Sequence, residues 1–395
     1  MLKDLSAQAV AAGVLAAVVG FASSFAVILR GLAAMGADQA QAASGLMAAS
    51  MAMGLGGIVL SLRTRQPVSV AWSTPGAALL ASTGAAAGGF GAAVGAFMAA
   101  NALIVLAGLW RPLGRAVAAI PAPLANAMLA GVLLGLCLAP VRAVATMPAF
   151  ALPVVLTWVL VARVKRLYAV PAAAALALAL IAGSVHFHAG AMPWPAPVAV
   201  APRFVPAALL GIALPLFIVT MASQNIPGMA VLHANGFRPP PGPLFRATGL
   251  FGLLGAPFGS HAINLAAITA AMCAGPEAHP DPRRRYWAAT VAGLTYVVFG
   301  LLAGIVTAAA AAAPPLLIEA VAGLALLGAF GTALMAALAD PASREGAVIC
   351  FLVTGSGVSF LGVGGAAWGL LAGGAVLALG RWRGVSSAAA REHAK

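Results

Sequence analysis

The sequence predicts an all-α polytopic membrane protein of about fourteen transmembrane segments in two inverted repeats of seven. Three observations predict it: long uncharged apolar runs, a one-sided distribution of Lys and Arg, and an odd number of segments in each half. Of 395 residues, 63% are hydrophobic and only 7% are charged. A soluble domain carries about a quarter charged residues, so this chain lacks the polar shell for a soluble core. Eleven stretches of twenty or more residues contain no Asp, Glu, Lys or Arg, the longest being 66–110 and 167–202. A bilayer core about 30 Å thick takes about 20 apolar residues per helix. Apolar and polar residues do not alternate with period two, which sets aside a β-barrel.

Three of the runs carry an internal break: glycines from Gly84 to Gly91, Pro257 with Gly259, and glycines from Gly362 to Gly365. The resulting spans are 8–30, 42–62, 67–86, 90–110, 120–140, 148–163, 168–187, 204–232, 243–257, 259–275, 286–312, 315–338, 345–361 and 363–381. The uncharged run 5–29 fits a first spanning helix better than a signal peptide. With the N-terminus inside, eighteen basic residues fall on the cytoplasmic side and three, Arg30, Arg142 and Arg203, fall outside. One missed segment would invert every later loop and destroy this bias. Both termini are therefore expected in the cytoplasm. The net charge of +13 is spread singly or in small groups between apolar runs, which indicates a lipid-bilayer environment and no nucleic-acid partner. Cys137, Cys273 and Cys350 each sit in an apolar run without metal-ligand spacing, so they read as buried structural thiols. No metal or cofactor is expected.

Seven segments per half place the second copy upside down. Ala22-Ser23-Ser24 in segment 1 resembles Ala222-Ser223-Gln224 in segment 8, and Pro67 and Pro257 lead into polar stretches in segments 3 and 10. In segment 3, Val68, Val70 and Trp72 alternate with smaller residues like a short strand. Ser73 or Thr74 is then a helix N-cap, and Pro75 suits the first turn. Such a segment enters the membrane extended and turns helical halfway, and its helix start suits an anion. A Pro-kinked ordinary helix is the alternative. Segment 10 breaks likewise at Gly259 and Ser260, with Asn264 a cap or substrate donor.

His261 is the one titratable side chain placed well inside a span, which makes it a proton-coupling candidate. The alternative is a neutral imidazole donating to a carbonyl. Ser223, Gln224 and Asn225 are three adjacent polar residues in segment 8. Successive helical side chains diverge by about 100°, so at least one should face a substrate and another a neighbouring helix. Glu277, His279 and Asp281 lie beside three arginines and read as a salt-bridged cytoplasmic turn, with Glu277 a second proton candidate.

The stretch Thr220-Met-Ala-Ser-Gln-Asn-Ile-Pro-Gly-Met-Ala-Val-Leu resembles the benzoate/proton symporter (BenE) family. So do Ala256-Pro-Phe-Gly through Asn264-Leu-Ala-Ala-Ile-Thr-Ala, Gly275-Pro-Glu-Ala-His-Pro-Asp-Pro and Ala337-Leu-Ala-Asp-Pro. The resemblance implies uptake of benzoate or a related aromatic carboxylate with a proton across the inner membrane. It also implies the seven-plus-seven inverted-repeat fold of nucleobase and sulfate transporters, with short strands in broken segments 3 and 10 meeting at the substrate. In that fold a core domain (1–110 and 204–312) moves against a gate domain (111–203 and 313–384), followed here by a cytoplasmic tail, 385–395. Where nucleobase transporters use glutamates in segments 8 and 10, this chain offers Gln224, Asn225, His261 and Asn264, a neutral set suited to an anionic substrate. The expected binding residues are Ser73, Thr74, Gly76, Gln224, Asn225 and Asn264, with Trp72, Phe21 and Phe258 packing on a ring. An anion channel of the same fold is the alternative function, and a homodimer is the assembly considered. No catalytic carboxylate pair, clustered His motif or nucleotide loop is present, so an enzyme is not expected.

Overall fold

The computed structural model describes residues 5–392 except 87, 111, 114, 116–119, 185–193, 359 and 361–362. Lys3, Arg111, Lys395, the Gly362 break and the end of segment 7 lie outside the described residues. Each of the fourteen sequence spans holds a helix or a strand–helix unit. By length and apolarity, seven helical stretches suffice to cross a bilayer singly, and the Pro282–Leu301/Ala303–Ala312 pair, bent by 57°, adds an eighth. The remaining units are shorter, among them Pro241–Gly255, Arg344–Gly355 and the two broken segments.

Segment 3 is extended over β1 (Val70–Trp72) and helical from Thr74 to Thr83; segment 10 is extended over β2 (Ile263–Leu265) and helical over Ile268–Ala274. The strands pair antiparallel, with Val70 opposite Leu265, Ala71 opposite Asn264 and Trp72 opposite Ile263. Ser73 N–H to Ala262 O (2.9 Å) and Ala266 N–H to Ser69 O (2.9 Å) extend the ladder at both ends. The ordinary kinked helix is therefore set aside for segment 3, and segment 10 makes the same kind of break.

Two irregularities were not anticipated. Segment 1 is not one straight helix but Ala7–Ala22 and Phe25–Ala34, broken at Ser23 and Ser24. Both hydroxyls fold back onto the Gly20 carbonyl (3.2 and 2.8 Å), competing with the backbone ladder there. Segments 6 and 7 form one helical run, Pro148–Ser184, kinked at Lys165, where φ −148° and ψ 103° are extended. In segment 8 the expected weak point is a π-helical turn, Met221–Asn225, just before Pro227 and Gly228. The breaks in segments 1 and 8 fall at the matched Ala-Ser-Ser and Ala-Ser-Gln positions.

Packing sorts the helices into two groups. In the first, segment 11 lies against 1 and 2, segment 9 against 2 and 4, and segment 3 against 1. In the second, segment 12 packs on 5 and on the 6–7 run, and segment 13 on 5 and 14. Small residues permit these crossings, as expected where lipid gives helices no hydrophobic reason to associate. At the centre of the 2–11 contact, an ideal Cβ on Gly54 or Gly293 would stand 2.6 Å from the other's carbonyl oxygen. Gly346 and Gly373 face each other in the same way between segments 13 and 14.

The 2–11 contact leads to a stability prediction. Gly293→Val must push two backbones apart and should cost about 1–3 kcal/mol, lowering the melting temperature of the purified protein in detergent. Gly331→Ala, where an added Cβ meets nothing within 4 Å, should leave it unchanged. Equal melting of the two variants would show that the contact is slack.

Candidate functional site

The strand pair poses a chemical problem that its neighbours solve. An antiparallel ladder uses alternate N–H groups of each strand, so in this register the N–H groups of Ile263 and Leu265 point away from β1. Side-chain amides from two flanking helices take them. Asn225 Oδ1 accepts from Leu265 N–H at 2.9 Å, and Asn101 Oδ1 accepts from Ile263 N–H at 3.4 Å. Asn101 Nδ2 also donates to the carbonyl of His261 at 2.8 Å. Across the ladder, His261 Nε2 lies 3.0 Å from the Ser73 carbonyl and donates to it. Ser73 Oγ caps Gly76 N–H at 3.1 Å and accepts from Thr220 Oγ1 at 2.9 Å.

Between the two packing groups lies a cavity of about 380 Å³, within the range of small-molecule sites. Its floor is Ala71, Trp72, Thr74 and Pro75 of segment 3 with Ala266, Ala267 and Thr269 of segment 10. Ser23, Ser24, Gln224 and Tyr296 line one wall; Trp158, Arg166 and residues 324–326 and 328–329 of segment 12 line the other. The start of helix Thr74–Thr83 thus abuts the cavity, and its dipole end favours negative charge there. Thr74, Gln224 and Tyr296 bring polar side-chain groups. Trp72 is held by its Nε1–H donating to Ser24 Oγ at 2.8 Å, and its other ring contact is Phe21, 5.4 Å away. Among the described residues, no Asp, Glu or His lines the cavity, and Arg166 is its one cation.

Elsewhere the two groups meet tightly. Phe25 and Ala26 lie against Ala174, Ala177, Leu178, Ile318 and Val321 around a void of only about 10 Å³. Nearby, Arg30 Nε of segment 1 pairs with Glu319 Oε1 of segment 12 at 2.8 Å.

Of the residues expected to bind substrate, Trp72, Thr74 and Gln224 line the cavity, and the others do not. Ser73 and Asn264 are fully buried, Ser73 as the N-cap and Asn264 within β2, where its Nδ2 donates to Leu265 O. Gly76 faces segment 8: an added Cβ would stand 2.5 Å from Leu216 Cδ1 and 2.7 Å from Ser73 Oγ. A bulky residue there disturbs helix packing, whatever it does to a ligand. Phe21 sits behind Trp72, stacked with Phe25 and tilted against Phe299, and Phe258 belongs to a short 3-10 turn and its carbonyl receives Ser44 Oγ. Asn225 serves the strand, while Ser223 Oγ bonds back to Val219 O. The polar trio therefore divides as helical geometry requires, with Gln224 alone toward the cavity. His261 is 1% exposed and off the cavity, which is the alternative reading of that residue: a buried imidazole tied to a carbonyl. Glu277 is exposed in the loop, where its carbonyl receives Gln8 Nε2. In that loop Asp281 caps Arg283 N–H and lies 4.0 Å from Arg284, and Arg285 donates to the carbonyls of Ala274 and His279. A charged turn, as read from the sequence, is what forms there.

Sequence reasoning missed Tyr296, Thr269, Trp158 and Arg166 at the cavity and Asn101 behind it. Asn101 carried a signal as the one amide side chain in segment 4, whereas Tyr296 stands among Thr290 and Thr295 in segment 11. The others look like ordinary core or topology residues.

Comparison with known proteins follows the same direction. A family model described as benzoate membrane transport protein matches residues 3–379. The inner membrane protein YdcO of Escherichia coli (strain K12) is 42% identical over 365 residues, covering 92% of this chain and 93% of that one. The benzoate membrane transport protein of Acinetobacter baylyi is 33% identical over 379 residues, covering 94% of each. Among solved structures, the transmembrane domain of the cyanobacterium bicarbonate transporter BicA aligns with TM-score 0.59 at 14% identity, covering 94% of this chain and 98% of that one. SLC26A9 aligns with TM-score 0.65 at 14% identity, covering 96% and 66%. These two show a shared fold.

The division of labour between Gln224 and Asn225 is testable without any ligand. Asn225→Ala leaves the Leu265 N–H buried and unpaired, which costs about 1–3 kcal/mol; its melting temperature should fall. Gln224→Ala removes a side chain that faces open space and should melt like the parent protein. The reverse order would overturn the assignment.

Proposed function

The chain belongs to the benzoate membrane transport protein family, and from that premise we propose that it imports benzoate or a similar aromatic carboxylate with a proton. The transport is proton symport across the inner membrane, by alternating access of a core domain (segments 1–4 and 8–11) against a gate domain (segments 5–7 and 12–14). The observation that carries the reading is the cavity between the two packing groups, aromatic at Trp72 and Trp158 and rich in donors at Thr74, Gln224 and Tyr296. An aromatic ring suits the apolar slot. A carboxylate needs donors and a positive field to offset its desolvation, and the start of helix Thr74–Thr83 offers both. Fourteen crossings and both termini in the cytoplasm accompany the proposal, on the strength of the 18:3 division of Lys and Arg.

On that topology, Arg30 and Glu319 stand at the outer side and Arg166 at the cytoplasmic side. The sealed contact and its ion pair then close the outside while the cavity faces inward, as one state of an alternating-access cycle requires. The cavity lining holds no carboxylate or imidazole among the described residues, and His261 is engaged with the Ser73 carbonyl. The proton is therefore assigned to the substrate, which binds as the carboxylate and takes the proton up later in the cycle, and His261 to holding the strand–helix junction.

Uptake of labelled benzoate into proteoliposomes, with and without an inward proton gradient, tests the reading. Accumulation should require the gradient and be competed by other aromatic acids. Gln224→Ala should weaken benzoate binding by roughly 1–3 kcal/mol, the range for a hydrogen bond to a charged group. His261→Gln keeps a donor for the Ser73 carbonyl and should keep gradient-driven accumulation. Loss of accumulation with binding intact in that variant would return the proton to His261.

Alternating access requires the Arg30–Glu319 contact to part in every cycle. Cysteines at these two positions, joined by a short bifunctional maleimide, should stop uptake while leaving benzoate binding from the cytoplasmic face. Undiminished uptake in the cross-linked protein would show that the two groups do not separate there.

A further inference from the structure

Resting on the aromatic-carboxylate reading, we propose that Arg166 is the cation that recognises the substrate carboxylate and sets the preference for anions. Arg163, Lys165 and Arg166 form one basic cluster in the sequence, and positive-inside topology explains all three equally well. The structure separates them. The helical run kinks at Lys165, and Arg166 opens the helix that follows. Arg166, Leu167, Val170 and Pro171 all line the cavity, the spacing of a single helical face. Arg163 and Lys165 do not line it.

The guanidinium also reaches across the gap. An ideal Cβ on Gly328 of segment 12, another lining residue, would stand 3.6 Å from Arg166 Nη2. Gly328 and the Arg166 guanidinium are therefore neighbours across the gap. No carboxylate among the described residues pairs with Arg166, whereas Arg30 and Arg284 each have an acidic partner. An unpaired guanidinium presents a planar fork that matches a carboxylate in bidentate fashion, which a lysine ammonium does not. With Trp72 and Trp158 lining the same cavity, the site holds two aromatic side chains for a ring and one fork for its acid. A neutral analogue of the same shape loses the second contact. Topology alone predicts no such preference, because a purely orienting charge makes no ligand contact.

Isothermal titration calorimetry on the purified full chain, with sodium benzoate and with the neutral isostere benzamide, distinguishes the two. The wild type should prefer benzoate, and the preference should shrink as salt is raised. Arg166→Gln should lose about tenfold or more in benzoate affinity, the scale of one charge-assisted contact, while benzamide binding stays unchanged. Arg166→Lys should fall between. Gly328→Asp supplies an internal carboxylate beside the guanidinium and should reproduce the loss without touching Arg166, and its loss should exceed that of the isosteric Gly328→Asn. Unchanged benzoate affinity in both Arg166→Gln and Gly328→Asp would overturn the assignment, as would an equal loss for benzamide. A wild type that binds no benzoate at all would instead remove the transport reading, and this inference with it.

Discussion

Two short strands cross at the middle of this molecule, where water is not at hand to satisfy their backbone. Each unpaired N–H or C=O there costs several kcal/mol, and the surrounding structure is arranged to avoid that cost. β1 and β2 satisfy one edge of each other. Asn101 and Asn225 satisfy the outward N–H groups of β2, and His261 the Ser73 carbonyl at the end of β1. These three polar side chains come from segments 4, 8 and 10, so the strand pair also locks those segments in register. The extended backbone is what allows a helix to begin halfway across, and Ser73 with Pro75 fixes where it begins. A continuous helix would bury the same N–H groups in its own ladder and leave nothing for a ligand.

The positions of glycine and alanine follow from the same shortage of driving force. Lipid tails are as apolar as the helix faces, so association rests on close contact and a few hydrogen bonds. Within each packing group the backbones touch, as at Gly54–Gly293 and Gly346–Gly373. Between the groups the contact is uneven. Phe25, Ala26, Ala174 and Ala177 meet around a void of about 10 Å³, while Trp72, Trp158, Tyr296 and Arg166 line a cavity of about 380 Å³.

Among the described residues the cavity is lined by neutral donors and Arg166 and by no acid. On the proposed aromatic-carboxylate reading the substrate brings its own negative charge, and a buried carboxylate beside it would cost both groups their ionised form or their proximity. Placing Asn, Gln, Thr and Tyr around the strand–helix junction avoids this repulsion. The acidic residues are kept elsewhere: Asp38 in a capping box with Gln41, Asp281 and Asp340 in turns, Glu319 on Arg30. Polar residues within the spans therefore fall into two uses. Those that face backbone hold the strands, and those that face the gap remain available to a ligand.

The sequence by itself determined what depends on local chemistry: the membrane class, the extended-then-helical form of segment 3 and a cap at Ser73 or Thr74. These follow from hydropathy, proline, glycine and side-chain capping, all of which act within a few residues. It also determined that Gln224 and Asn225 must face different ways, because helical spacing permits nothing else. Tertiary structure decided which of the two meets backbone and which meets the cavity. It placed His261, Asn264 and Gly76 off the cavity, each buried against a partner more than 100 residues away or inside its own strand. It brought Arg166 to the cavity through a kink at Lys165 that no proline or glycine announces. Polarity in a sequence marks a residue that needs a partner in the membrane, but whether that partner is a backbone amide or a substrate depends on which segment lies opposite. That neighbour is chosen by packing across the whole chain.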